Sequence, residues 1–172
     1  MITYGKHFID QHDIKNVTTS LRSKYITQGP NVILFEDKIK KIFNAKGAAV
    51  VSSGTAALHL SGIALNWRPN DIVLTVPLTF IATANAVLYS GAKLEFIDID
   101  AKTLNIDLKL LEKKIIDLRK KKKKIKSLIA VDYAGNPCEW GEIKYLSKKY
   151  GFTVINDNCH AIGSKYKKSI GY

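Results

Sequence analysis

Cysteine is scarce in this chain of 172 residues: Cys138 and Cys159 stand alone, with no Cys-x-x-Cys pair and no histidine at zinc-ligand spacing. That argues against a disulfide scaffold and a structural zinc site, so no metal is expected, and a reducing cytoplasm fits best. Long apolar runs are missing as well; none reaches the ~18 residues that a membrane helix needs. The opening MITYGKHFID lacks the basic-then-apolar layout of a secretion signal. There is no internal repeat and no Pro/Gly/Ser-rich linker. Acidic residues are outnumbered, 15 against 27 basic ones, which leaves a net charge of +12.

What remains is globular in balance, 46% hydrophobic and 24% charged, enough for one domain with its own core or for the front part of a larger one. Part of the positive excess is local: residues 119 to 124 read Arg-Lys-Lys-Lys-Lys-Lys. Such a block reads first as a solvated helix end or surface loop, because like charges repel and rarely pack. A polyanion-binding patch is the alternative, but no aromatic residue interleaves the lysines to stack on bases, and a nucleic-acid partner is not expected.

Helix and strand patterns alternate along the chain. Helices are predicted over 11–23, 33–43, 53–65, 80–89, from a cap at Asp107 to about Leu118, and over 139–149. Short apolar strands are predicted at Ala48–Val51, Ile72–Val76, Leu94–Ile97, Ser127–Val131 and Thr153–Ile155, and the tail from Gly163 has hairpin character. Helix 80–89 carries no charge and should be largely buried. Five strands, four of them followed by helices, predict an α/β fold: a mainly parallel sheet between two helical layers, α/β/α. Ligands in such folds sit at the carboxyl ends of the strands.

Three of those ends carry chemistry. Ser52-Ser53-Gly54-Thr55 opens a helix directly from a predicted strand, where free N–H groups and the helix dipole suit a phosphate; an ordinary capped turn would look the same. Phe80, after the second strand, either stacks on a flat ligand or fills the core. Asp157 ends the last strand, and a carboxylate there needs a partner, such as a cationic ring nitrogen, an Arg or a helix N-terminus. His160 either faces the same pocket or caps the segment, and an Asp157/His160 acid–base pair is conceivable. A phosphate cradle, a flat face and a carboxylate together describe what pyridoxal 5'-phosphate (PLP) requires.

The segments TQGP (27–30), SSGTAAL (52–58), PLTFIATANAVLYSGAKLEFIDID (77–100), VDYAG (131–135) and INDNCHAIGSKY (155–166) span essentially the whole chain. In their order and spacing the chain resembles the DegT/DnrJ/EryC1/StrS sugar aminotransferases, fold type I PLP enzymes, and most of all their pseudaminic-acid branch. The resemblance implies residues 1–172 as the N-terminal portion of the PLP-binding large domain. It implies amination at C4 of a UDP-linked 4-keto-6-deoxy-N-acetylhexosamine with glutamate as donor, in a cytoplasmic homodimer. By position, Gly54 and Thr55 would bind the cofactor phosphate, Phe80 would stack on its ring, Asp157 would pair with the ring nitrogen and His160 would reach the 3-hydroxyl side. Tyr4 and Lys24-Tyr25-Ile26-Thr27 resemble the family's nucleotide-sugar contacts. Asn156 and Asn158 are bulkier and more polar than the family's residues beside that Asp.

One departure bears on activity. The family's Schiff-base lysine lies in an SFHxxK-like segment well past the Asp157 motif, and Lys165, Lys167 and Lys168 align elsewhere. The expectation is therefore a truncated form with negligible transaminase activity on its own. Relatives that carry His at the lysine position are dehydratases, and a non-catalytic polyanion-binding fragment is the alternative from another class.

Overall fold

The computed structural model describes residues 6–170. The chain divides into two compact units, Met1–Val50 and Val51–Tyr172.

The described part of the first unit holds helices α1 (Gln11–Leu21) and α2 (Pro30–Ile42). α1 starts on a reciprocal cap: Asp10 accepts from the His12 and Asp13 N–H groups, and Asp13 accepts from the Asp10 N–H. α2 starts three residues ahead of the prediction because Pro30 takes the first helical position behind Gly29, where its fixed φ and missing N–H cost nothing. Gly29 sits close to the preceding bend: a Cβ there would stand 3.0 Å from the Tyr25 carbonyl oxygen, tighter than ordinary contact. Ala48–Val51, expected as a strand, joins no ladder. The Val50 N–H donates instead to the Glu36 carboxylate at 2.9 Å, and the Val50 side chain is exposed. Among the described residues four strands therefore form the sheet, not five.

The second unit is a three-layer α/β/α arrangement. Its parallel sheet runs in the order β2-β1-β3-β4, with β1 Ile72–Thr75, β2 Lys93–Phe96, β3 Ile125–Val131 and β4 Thr153–Asp157. Alternate residues of each strand face opposite layers. Val73 and Ile129 pack with Leu58, Trp67, Ala82, Ala86 and Val87 under α3 (Gly54–Ala64) and α4 (Ile81–Tyr89). Ile72, Leu74, Leu128 and Ala130 pack with Leu111, Ile115, Ile143 and Leu146 under α5 (Leu108–Lys120) and α6 (Trp140–Tyr150).

α4 is only half-buried, contrary to its uncharged composition. Ala82, Thr83, Ala86 and Val87 are inside while Ile81, Leu88 and Tyr89 face out. The basic run is the end of α5: the Lys122 and Lys123 N–H groups return to the Arg119 and Leu118 carbonyls. Cations there complement the helix dipole. The tail forms the short hairpin, with Tyr166 and Ser169 exchanging both backbone bonds across Lys167-Lys168. Among the described residues no helix is long and apolar enough to cross a membrane.

Candidate active site

The carboxyl ends of β1, β3 and β4 open into a cavity of about 260 Å³ between the first turns of α3 and α4. Gly54, Thr55, Phe80, Asp157 and His160 all line it, as do Thr83, Tyr133 and Cys159. Five residues chosen from the sequence are thus brought together in one place.

α3 begins directly at the cavity. Ser53 caps it, its Oγ accepting from the Ala56 N–H at 3.2 Å. The N–H groups of Gly54 and Thr55, in the first turn, have no intrahelical acceptor and stand at the positive end of the dipole. Gly54 also keeps the entrance narrow without blocking it, since a Cβ there would meet the Cys159 sulfur at 3.2 Å.

Asp157 closes β4 and is 7% exposed. Its Oδ2 accepts from the Thr83 hydroxyl at 2.8 Å, and Thr83 lies 2.8 Å from the Thr79 hydroxyl. A hydroxyl has one proton, so Thr83 gives its own to Asp157 and receives one from Thr79. The relay fixes one carboxylate oxygen. Oδ1 receives the Cys159 N–H at a long 3.4 Å, and the Cys159 thiol also bonds the carboxylate; both contacts leave lone-pair directions for a donor in the cavity. Burial, and then the hydrogen bond and charge of Asp157, push the Cys159 thiol up to about 11.

Phe80 precedes α4 and is 71% exposed, so it belongs to the cavity rim and not to the core. His160 stands edge-on to Tyr133, ring centroids 6.3 Å apart. Asn156 and Asn158 flank Asp157, and the side-chain oxygen of each is buried with no hydrogen-bond partner. Among the described residues no group of three or more His, Cys, Asp or Glu side chains could hold a metal ion.

Lys24, Tyr25, Ile26 and Thr27 form the exposed bend between α1 and α2 in the first unit; Tyr25 and Ile26 border a shallow depression there. Tyr4 lies outside the described residues.

Thr79, Thr83, Tyr133 and Cys159 were not singled out by sequence. For Thr83 there was a signal: hydroxyls four residues apart at the start of an uncharged helix share one face. Tyr133 sat inside the VDYAG segment with no role attached to it.

The donor set suits PLP: an anion cradle without side-chain bulk, a flat exposed ring and a buried carboxylate with one oxygen held only by a long contact. Comparison with known proteins points the same way. The profile of the DegT/DnrJ/EryC1/StrS aminotransferase family matches residues 7–171. A UDP-4-amino-4,6-dideoxy-N-acetyl-beta-L-altrosamine transaminase of Campylobacter jejuni is 45% identical over 172 residues, which is 99% of this chain and 44% of that protein. Among solved structures, Helicobacter pylori PseC, an aminotransferase involved in the biosynthesis of pseudoaminic acid, superposes with a TM-score of 0.86 at 34% identity over 98% of this chain and 44% of PseC. The Streptococcus pneumoniae protein Spr1654 in its PLP-form gives 0.87 at 28% identity, over 98% of this chain and 45% of that one. The chain spans less than half the length of these relatives.

Proposed function

Because this chain belongs to the DegT/DnrJ/EryC1/StrS aminotransferase family, we propose that it supplies the cofactor-holding part of a PLP-dependent transaminase acting at C4 of a UDP-linked 4-keto-6-deoxy amino sugar, with glutamate as amino donor. Residues 1–172 are read as the N-terminal portion of the large domain of a cytoplasmic homodimer. One observation carries the cofactor reading: a buried carboxylate at a strand end, braced through one oxygen by Thr83, faces the same cavity as the start of α3 and the Phe80 ring.

When bound, PLP supplies an electron sink and carries the amino group between donor and acceptor. The chain's own groups do the holding. Gly54 and Thr55 present backbone N–H groups, and Thr55 a hydroxyl, to the phosphate. Phe80 covers one face of the pyridine ring and keeps water from it. Asp157 would hold a proton on the ring nitrogen through the oxygen that Thr83 does not engage, its buried charge paired by doing so. His160, in the cavity lining, would reach the side of the 3-hydroxyl. Tyr4 and Lys24–Thr27 are assigned to the nucleotide sugar. The exposed apolar residues of α3 and α4, among them Leu60, Ile63, Leu88 and Tyr89, support assembly with a second copy.

With this chain joined to a segment that supplies the Schiff-base lysine, transfer of ¹⁵N from labelled glutamate to the UDP-4-keto sugar, followed by mass spectrometry, tests the reaction. Titration with PLP, followed by its absorbance, tests the site separately. Label in the sugar amine and a saturable spectral change lost in Asp157→Asn are expected. No label in the sugar would overturn the reaction, and a spectrum indifferent to Asp157 would overturn the site.

A further inference from the structure

Tyr133 reaches the cavity from a backbone turn with no strand to hold it. Residues 133–136 follow β3 as a single tight turn in which Ala134 takes φ 52 and Gly135 φ 85. A left-handed alanine is unfavourable and persists only where its surroundings enforce it. The enforcement comes from outside the cavity. Asn105, in the loop between β2 and α5, is 5% exposed and does not line the cavity. Its Oδ1 accepts from the Tyr133 N–H at 3.1 Å and its Nδ2 donates to the Asn136 carbonyl at 3.0 Å. One planar amide thus spans both ends of the turn. Asn136 answers in kind, its Nδ2 donating to the Thr103 carbonyl at 3.3 Å. Asn105 is itself fixed, its carbonyl accepting from the Asp100 N–H at 2.8 Å.

We propose that Asn105 is a positioning residue for the cavity: its amide clamps the Tyr133–Asn136 turn and so sets where the Tyr133 ring stands on the wall beside His160. Only asparagine meets the demand at this reach. Aspartate keeps the acceptor but loses the donor, leucine has neither, and glutamine is one methylene too long. Fit of a ligand against the wall then depends on a side chain that never touches the ligand. The clamp rests on geometry alone; its effect on ligand fit rests on the PLP reading above.

The test joins two measurements. Amide hydrogen exchange is followed at Tyr133, with Ile143 on α6 as control. Dissociation constants for PLP are measured by quenching of tryptophan fluorescence for wild type, Asn105→Leu, Tyr133→Ala and the double variant. Asn105→Leu is expected to speed Tyr133 exchange by about tenfold or more with Ile143 unchanged. It should weaken PLP by about tenfold in the wild-type background and not at all in Tyr133→Ala, because Asn105 acts only through that ring. Asn105→Asp should keep the Tyr133 amide protected and recover part of the affinity. Asn105→Ser, too short to span both partners, serves where the leucine variant does not fold. Unchanged Tyr133 exchange would overturn the clamp, and additive losses of affinity would overturn its action through Tyr133. If wild type takes up no PLP, the cofactor reading falls and exchange at Tyr133 still decides the clamp.

Discussion

The two faces of the sheet are covered by helices of opposite character. α5 and α6 are amphipathic: Leu111, Ile115, Ile143 and Leu146 point inward, while lysines and glutamates, including the Lys149–Glu112 ion pair at 2.9 Å, face water. α3 and α4 hold no Lys, Arg, Asp or Glu, and expose Leu60, Ile63, Ile81, Leu88 and Tyr89. The first pair has finished its task once it covers the sheet. The second pair also builds a cavity, which needs small residues at its N-termini, and keeps apolar surface for something further to cover. One face secures stability and the other carries the proposed binding cavity, so substitutions on each should move different observables.

The largest effect belongs to the binding face. Asp157→Asn removes the charge proposed to pair the ring nitrogen while keeping the acceptor for Thr83. Loss of one partner of a buried pair costs about 3–5 kcal/mol, so PLP affinity should fall by roughly 10²–10⁴-fold. The melting temperature without cofactor should stay close to wild type, and a melting loss of the same size as the binding loss would erase the contrast between faces. Ile143→Ala is the mirror experiment. Its side chain is fully buried under α6, and truncation should cost about 2–4 kcal/mol in urea unfolding. PLP affinity measured well below the transition should be unchanged.

The sequence made one face easier to read than the other. The helical spacing of Leu111, Ile115 and Leu118 behind the Asp107 cap declares both a helix and its buried side, and the structure has both. In α4 a run without charge gives no sidedness. The composition implies a helix largely buried and leaves Phe80 open between core and ligand face, because nothing in IATANAVLY distinguishes a residue facing the sheet from one facing a cavity or a second subunit. Ala48–Val51 misled for a related reason: a short apolar run says that a segment can enter a ladder, and a carboxylate fourteen residues back decided otherwise. The candidate site was legible where a residue type is costly without a partner, as with Asp157 at a strand end. It was illegible where function comes from long-range contact. Thr83 and Asp157 are 74 positions apart and Asn105 and Tyr133 28, so no local pattern joins them.

A smaller effect on stability tests the apolar surface of α3 and α4. Ile63 and Leu88 are both more than half exposed. Changing both to Ser should shift the unfolding free energy of the dilute protein by less than about 0.5 kcal/mol per site, as for surface positions that make no special contact. Sedimentation equilibrium should then show association weakened relative to wild type. If the paired variant associates as wild type does, the contact between copies lies elsewhere and the exposed side of α3 and α4 needs another explanation.

The smallest effect concerns Cys159, where the binding face holds a thiol that looks reactive by position. It sits in the cavity wall with its sulfur against Gly54, partly open to solvent. Burial and the neighbouring Asp157 carboxylate both disfavour the thiolate, raising the thiol from 9.0 to about 11. At pH 8 only about one thiol in a thousand is ionised at that value, so alkylation by iodoacetamide should be slower than for an unfolded-peptide cysteine. The rate should climb through pH 9 and level off only above about 11. The sign for stability follows from the same shift. The unfolded chain ionises first, so whatever Cys159 contributes is present below pH 9 and is lost as the pH rises toward 11. Asp157→Asn removes the charge and leaves the burial, so alkylation at pH 8 should quicken severalfold in that variant while Cys138, fully buried on the opposite side of the sheet, stays unreactive. Equal rates in wild type and Asp157→Asn would mean that burial alone governs the thiol, and that the carboxylate directs its field into the cavity and away from its own neighbour.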